Sequence, residues 1–298
     1  MKKMLFILNP NAGTKKAAKH LMDMIAIFNR ADYDVSVYIT EAKGDAERMA
    51  FQMAQSVDAV VCCGGDGTFN EAMSGVLRSG VDVPLGYIPA GSTNDFASSL
   101  NLPADMLEAA RNVVEGQPVT YDVGKFGDRY FSYVASFGAF TRASYATPQN
   151  VKNALGHTAY ILSGIQELSQ IREIAVKLEM DGQVLEGNYL FGAICNSTSV
   201  AGILTLDPNQ VDMRDGRFEV LLVRSPKDLA EVAECIQAFQ NKTYNCKMVS
   251  FLNTEAVTVT MEDPVDWTLD GEYQPGAQQV RITNEHFAIR LLTRENQK

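Results

Sequence analysis

The sequence predicts an α/β N-terminal domain, with a parallel sheet covered by helices on both faces, followed by a mainly antiparallel β domain. Three observations carry that prediction. Short apolar runs alternate with amphipathic helical text through about residue 100. Polar or glycine-rich turns follow the first, third and fourth of those runs. Beyond about Tyr121 the pattern changes to successive strands with short turns, the pattern of an antiparallel sheet.

Taken in order, Met4 to Leu8 is a first strand and Asn9-Pro10-Asn11-Ala12-Gly13 its turn. Ala18, Leu21, Met22, Ile25 and Phe28 mark one face of a helix. Asp34 to Thr40 alternates as a second strand, and Ala46, Met49, Ala50, Met53 and Ala54 give a second helix. The run Asp58 to Cys63 is short, β-branched and nearly uncharged, as a buried parallel strand should be. After it, Phe69, Ala72, Met73, Val76 and Leu77 recur at helical spacing. Pro84 to Ile88 is a fourth strand, and Pro89 to Asp95 the turn beyond it. In the second half, Tyr130 to Phe140 reads as an aromatic strand and Asn150 to Gln170 as one or two helices. Asp181-Gly182 joins two strands as a hairpin, Asp228 to Phe239 is a helix, and short strands fill the remainder to Leu292. The domain boundary falls near residue 125.

Composition narrows the function. The chain has 298 residues, 46% hydrophobic and 21% charged, which is ordinary globular composition and length enough for two domains. A net charge of −10 argues against nucleic-acid binding and against loose attachment to anionic membranes. Five cysteines without Cys-x-x-Cys spacing point to reduced thiols in a cytoplasmic protein and to no zinc site. Met1-Lys2-Lys3 and the apolar run behind it imitate a signal peptide, but the run is short and Asn9-Pro10 breaks it. No stretch reaches the ~18 apolar residues of a membrane span.

The stretch Gly64-Gly65-Asp66-Gly67-Thr68-Phe69-Asn70-Glu71 sits at a strand-to-helix turn. Glycine permits close backbone approach, and a helix start offers N–H groups to an anion. Asp66 would repel bare phosphate, so Mg²⁺ standing between them makes sense of it. A capping box alone would account for Thr68 and Glu71 but not for three glycines. Asn9 to Gly13 reads equally as an ordinary turn, and Pro89 to Asp95 as an N-cap cluster. Their convergence at the carboxyl ends of one parallel sheet, where ligands bind, is the stronger signal. Neither a Walker A pattern nor a Gly-x-Gly-x-x-Gly fingerprint is present. Spacing alone makes Asp270-Gly271-Glu272 a turn with two carboxylates, one able to serve as a base. His20, His157 and His286 are scattered, with surface or packing roles.

Four of these stretches together resemble the diacylglycerol kinase catalytic-domain family, in its soluble bacterial branch: Asn9–Gly13, Gly64–Glu71, Pro89–Phe96 and Asp270–Glu272. Tyr121-Asp122-Val123-Gly124 and the run from Tyr145 to Gly164 are similar too, so the likeness covers nearly the whole chain. The resemblance implies domains over 1–125 and 126–284, with 285–298 returning to the first and ATP between the two. It implies an ATP- and Mg²⁺-dependent lipid kinase acting on diacylglycerol, transiently at the inner membrane surface, with a homodimer possible. Asn9, Pro10, Asn11, Ala12, Gly13, Thr40, Gly64, Gly65, Asp66, Gly67, Thr68, Phe69, Asn70, Glu71, Ser92 and Asn94 would line the nucleotide. Asp270 and Glu272 would supply the base, and Asp66, Asp95 and Asp122 an acidic network around the catalytic Mg²⁺. Asp212, Asp215 and the backbone carbonyl of Arg217 would hold a second, structural Mg²⁺. One departure stands out: the family's usual Arg two residues beyond Phe96 is Ser98 here. Another lipid or sphingoid kinase, an NAD kinase, or a non-catalytic lipid- or nucleotide-binding regulator are the alternative readings. Membrane docking is expected through a local patch, with Lys15, Lys16, Arg142 and Lys152 as its candidates.

Overall fold

The computed structural model describes residues 1–139, 173–200 and 204–294. The helical reading of 150–170, His157, Arg142 and Lys152 lie outside the described residues. The chain forms two compact units. The first comprises Met1–Tyr133, Asn196–Arg217 and Asn284–Lys298; the second comprises Val134–Cys195 and Phe218–Thr283. The segment 196–217, read from the sequence as part of the second domain, thus belongs to the first unit.

In the first unit, strands β1 (Lys2–Leu8), β2 (Tyr33–Ile39), β3 (Ala59–Gly64) and β4 (Leu85–Pro89) form the predicted parallel sheet. β1 lies between β2 and β3, and β4 follows β3, all in parallel register. Every residue of β3 and β4 is buried, which is why both read as continuous apolar runs rather than alternations. Helices α1 (Leu21–Arg30), α2 (Asp45–Met53), α3 (Asp66–Ser79), α4 (Asp95–Ser99) and α5 (Met106–Glu115) complete the alternation. Met24 and Phe28 are the buried residues of α1, whereas Met22, assigned to its apolar face from spacing, is exposed. A 3₁₀ turn at Ala17–His20 precedes α1 and resets the phase that the spacing had extrapolated. β5 (Gln117–Phe126) and β6 (Arg129–Phe131) form a hairpin, so the aromatic run 130–140 is broken rather than one strand.

In the second unit, β7 (Val134–Gly138), β8 (Ile174–Met180) and the long β9 (Gln183–Cys195) are antiparallel. Asp181 and Gly182 join β8 to β9 with φ of 45° and 75°, the positive angles that a two-residue hairpin turn requires. A short pair, β10 (Ser199–Val200) and β11 (Leu204–Thr205), belongs to the first unit. β12 (Phe218–Arg224) pairs with both β9 and β13 (Val249–Thr254), and helix α6 (Leu229–Gln240) separates the two in sequence. β14 (Ala256–Met261) joins β8 to the start of β17 (Gln279–Thr293), while β15 (Trp267–Leu269) and β16 (Glu272–Gln274) form a hairpin beside β7. Where short strands are expected up to Leu292, Gln279–Thr293 is one long strand, and its Leu291 pairs with Leu85 in the first unit's sheet.

Candidate active site

Three turns meet at the carboxyl ends of β1, β3 and β4. The Asn9 N–H donates to the Cys63 carbonyl (2.9 Å), and its side-chain amide donates to Thr68 Oγ1 (3.0 Å). Asn9 Oδ1 accepts the Asn11 N–H (3.0 Å), which shapes the Asn9–Gly13 turn. The Ala90 N–H donates to the Gly64 carbonyl (2.8 Å), tying the β4 turn to the β3 turn. Gly91 and Gly65 touch backbone to backbone: a Cβ on Gly91 would lie 2.6 Å from the Gly65 Cα. Gly13 adopts φ of 48° and closes against the Ala90 carbonyl, so glycine is required there twice over. Three sequence-remote turns are therefore one rigid wall.

Side chains brace this wall. Asn94, itself at φ 53°, accepts the Gly91 N–H (2.9 Å) and returns a bond to the Gly91 carbonyl (3.0 Å). Phe69 lies between the Phe96 and Tyr87 rings, each 4.7 Å away. Burial, followed by the nearby Asp66 charge, drives the Tyr87 phenol well above its usual range, so it stays neutral. Thr40 is buried, with its N–H bound to the Leu8 carbonyl (2.9 Å). Ser92 is exposed at the turn's surface. Ser98, where the family's Arg would stand, is exposed on α4 and brings no charge.

The carboxylates divide into distinct environments. Asp66, first residue of α3, accepts the Asp95 N–H (3.1 Å) and the Phe96 N–H (3.3 Å), so it caps α4. Asp95 is buried and accepts the Ser199 hydroxyl (2.7 Å). Asp122 is fully buried: Oδ2 accepts the Gly216 N–H (2.6 Å), and Oδ1 the Phe287 N–H (2.8 Å), with His286 Nδ1 2.9 Å away. Glu71 caps the other helix, accepting the Gly44 N–H (2.8 Å) and the Ala46 N–H (3.3 Å) at the start of α2. In the 212–217 loop, Asp212 accepts the Arg214 N–H (3.0 Å) and Asp215 the Arg217 N–H (2.9 Å). Burial, then the charges of Asp212 and Asp122, raise the Asp215 carboxyl. The Arg217 carbonyl accepts from the Asn284 amide (3.1 Å).

In the second unit, Asp270 and Gly271, at φ of 50° and 81°, are the central pair of the β15–β16 hairpin. The turn reading and the acidic reading of Asp270-Gly271-Glu272 thus hold together. Asp270 is buried and accepts the Val134 N–H (3.1 Å), whereas Glu272 is exposed.

Sequence reasoning passed over Ser199, gave His286 only a surface or packing role and tied neither it nor Gly216 to Asp122; the three bind Asp95 and Asp122 from 104, 94 and 164 residues away. No local signal marks them. Among the described residues, no cluster of three or more His, Cys, Asp or Glu side chains converges on a metal position. Mg²⁺ does not need one, because it keeps several waters and takes one or two carboxylates. Burial does most to raise the Asp215 carboxyl, and a divalent cation would relieve the further part that comes from the Asp212 and Asp122 charges, so the donor set there fits.

Residues 3–126 match the diacylglycerol kinase catalytic domain model, and residues 134–292 match the YegS C-terminal NAD kinase beta sandwich-like domain. The diacylglycerol kinase of Bacillus subtilis (strain 168) is 31% identical over 275 residues, covering 92% of this chain and 90% of that protein. That of Staphylococcus aureus (strain MRSA252) is 31% identical over 274 residues, covering 91% and 86%. A solved structure of a diacylglycerol kinase from Bacillus anthracis str. Sterne has a TM-score of 0.76 at 22% identity, over 99% of this chain and 97% of that one. Another structure from that organism reaches 0.83 at 24% identity, with the same coverage. Both structures share the fold.

Proposed function

The chain belongs to the diacylglycerol kinase family, and we propose that it transfers the γ-phosphoryl group of ATP to the free hydroxyl of diacylglycerol in the presence of Mg²⁺. The observation that supports this most is the wall of three interlocked turns at 9–13, 64–71 and 90–95. Phosphoryl transfer asks little covalent chemistry of the protein; it asks for positioning and for charge stabilisation. The turn backbones and the α3 N-terminus would cradle the phosphates, with Thr68 oriented by Asn9 and with Thr40 and Ser92 alongside. When bound, Mg²⁺ would offset charge on the phosphate oxygens, with Asp66 and Asp95 nearest the turns and Asp215, Asp212 and the Arg217 carbonyl at the structural position. Asp122 already takes two N–H donors and His286, so its part is to hold the 212–217 loop.

The acidic motif divides its labour in this reading. Asp270, buried and bound to the Val134 N–H, fixes the turn; exposed Glu272 takes the proton from the attacking hydroxyl. No helix among the described residues is long and apolar enough to cross a membrane, so the lipid would be met at the bilayer surface. The test is phosphotransfer from labelled ATP to diacylglycerol in mixed micelles, with sphingosine and soluble NAD as rival acceptors. Wild type labels diacylglycerol only with Mg²⁺ present, and Asp66→Asn and Glu272→Gln each lose at least ~100-fold in kcat. Thermal melts of both variants separate lost chemistry from lost folding. Turnover on NAD alone, or undiminished kcat in Glu272→Gln, refutes the corresponding part.

A further inference from the structure

Two thiols of the second unit lie outside everything assigned above. On α6, Glu231, Cys235 and Phe239 are spaced at four-residue intervals and share one face of the helix. The chain then reverses, with the Lys242 N–H bound to the Phe239 carbonyl (3.2 Å) and the Thr243 N–H to the Ala238 carbonyl (2.9 Å). The returning segment is pinned to that same face at both ends. The Tyr244 ring lies 6.3 Å from the Phe239 ring, and Lys247 Nζ is 2.7 Å from Glu231 Oε1. Cys246 falls between the two pins, and Cys235 falls between their partners.

Charge agrees with this placement. Burial, and next the neighbouring Cys246, push the Cys235 thiol up to about 11. Both thiols are partly exposed, whereas Cys62, Cys63 and Cys195 are fully buried. An oxidant can reach the first pair and not the other three.

We propose that Cys235 and Cys246 form a redox pair, oxidised to an intramolecular disulfide by a hydroperoxide and restored by a dithiol. The first oxidation is assigned to Cys246, on the returning segment, and the resolving attack to Cys235, on α6. Its Sγ takes one oxygen as the O–O bond breaks, giving a sulfenic acid and an alcohol (water, from hydrogen peroxide). Cys235 Sγ then attacks that sulfur; the S–O bond breaks, the S–S bond forms, and water leaves with the Cys235 proton. Two thiols are oxidised by two electrons and one peroxide is reduced. The bond would fasten the 241–248 segment to α6, beside a cavity of about 540 Å³ lined in part by Lys227, Glu231 and Lys247.

The experiment treats the full chain with one equivalent of hydrogen peroxide, alkylates in denaturant, and maps peptides by mass. The expected result is a linked Cys235–Cys246 peptide, with Cys62, Cys63 and Cys195 alkylated and all five alkylated after dithiothreitol. The oxidised protein should melt roughly 5–10 °C higher than the reduced one, and the C235S/C246S variant should show no such gain. C235S treated with the same peroxide should hold Cys246 as a sulfenic acid that dimedone traps. Five alkylated cysteines after oxidation, sulfinic acid at Cys246 without a link, or a disulfide joining two molecules would each overturn the pairing.

Discussion

Glu71 shows how a residue that looks like a ligand can act one step away from it. Its carboxylate takes both the Gly44 and Ala46 N–H groups, and α2 has no side-chain cap of its own because Gly44 stands at its N-cap. Replacing it by Ala leaves two helix-start donors without an acceptor, at a cost of about 1–2 kcal/mol. The turn proposed to hold the nucleotide runs directly into the same helix, which begins at Asp66, so KM for ATP should rise in Glu71→Ala more than kcat falls. Glu71→Gln keeps one acceptor oxygen and should sit between wild type and Ala in both melts and kinetics. Acidity gives an independent check. Burial raises the Glu71 carboxyl above its ordinary 4.5 despite the two N–H bonds. The folded state therefore holds the proton more tightly than the unfolded state, and this group's contribution to stability falls as pH rises from about 4.5 upward. In urea melts across that range, Glu71→Gln should lose this slope; an unchanged slope would show that another group carries it.

At the scale of elements, the closest helix partnership of the first unit is that of α2 with α3, and Gly75 makes it possible. A Cβ there would press on the Glu47 carbonyl and lie 2.9 Å from the Ala50 Cβ. Helix propensity alone favours Ala over Gly by about 1 kcal/mol. Overpacking a tight contact costs about 1–3 kcal/mol and moves helices. Steric cost should win, so Gly75→Ala is expected to lower Tm by roughly 2–6 °C, read by calorimetry. A higher Tm would mean that α2 can slide away freely. Most elements of this kind were legible in the sequence because their signals are local. Period-2 and period-3.6 patterns marked β2, α2 and α3, and Asp181-Gly182 marked its hairpin. Illegible were the break at 132–133 in an otherwise continuous aromatic run, the phase shift that exposes Met22, and the caps given to α2 by Glu71 and to α4 by Asp66. A carboxylate that caps another helix has the same local sequence as one that faces a ligand.

Across the whole molecule, order along the chain and neighbourhood in space do not coincide. The first unit is assembled from three segments, Met1–Tyr133, Asn196–Arg217 and Asn284–Lys298. Within it Leu291 pairs with Leu85, the Asn112 amide bonds to Thr293 Oγ1 (3.3 Å), and Arg294 bridges Glu108 and Glu115 (2.7 Å each). The buried Asp122 depends on both later segments, through Gly216 from one and through His286 and Phe287 from the other. Stripping a buried carboxylate of its partners costs about 3–5 kcal/mol, against a total stability of about 5–15 kcal/mol for a typical domain. Residues 1–125 alone, which sequence patterning marks out as a nucleotide-binding domain, should therefore lack a cooperative thermal transition and bind a hydrophobic dye. Deleting only the segment after Thr283 should have nearly the same effect, since it removes one of β4's two strand partners together with two of the contacts on Asp122. Asp122→Asn in the full chain keeps the shape and removes the charge, so it should melt closer to wild type than either truncation. If 1–125 instead melts in a single sharp step, the later segments only decorate a domain that is already complete, and the wall of turns owes nothing to them.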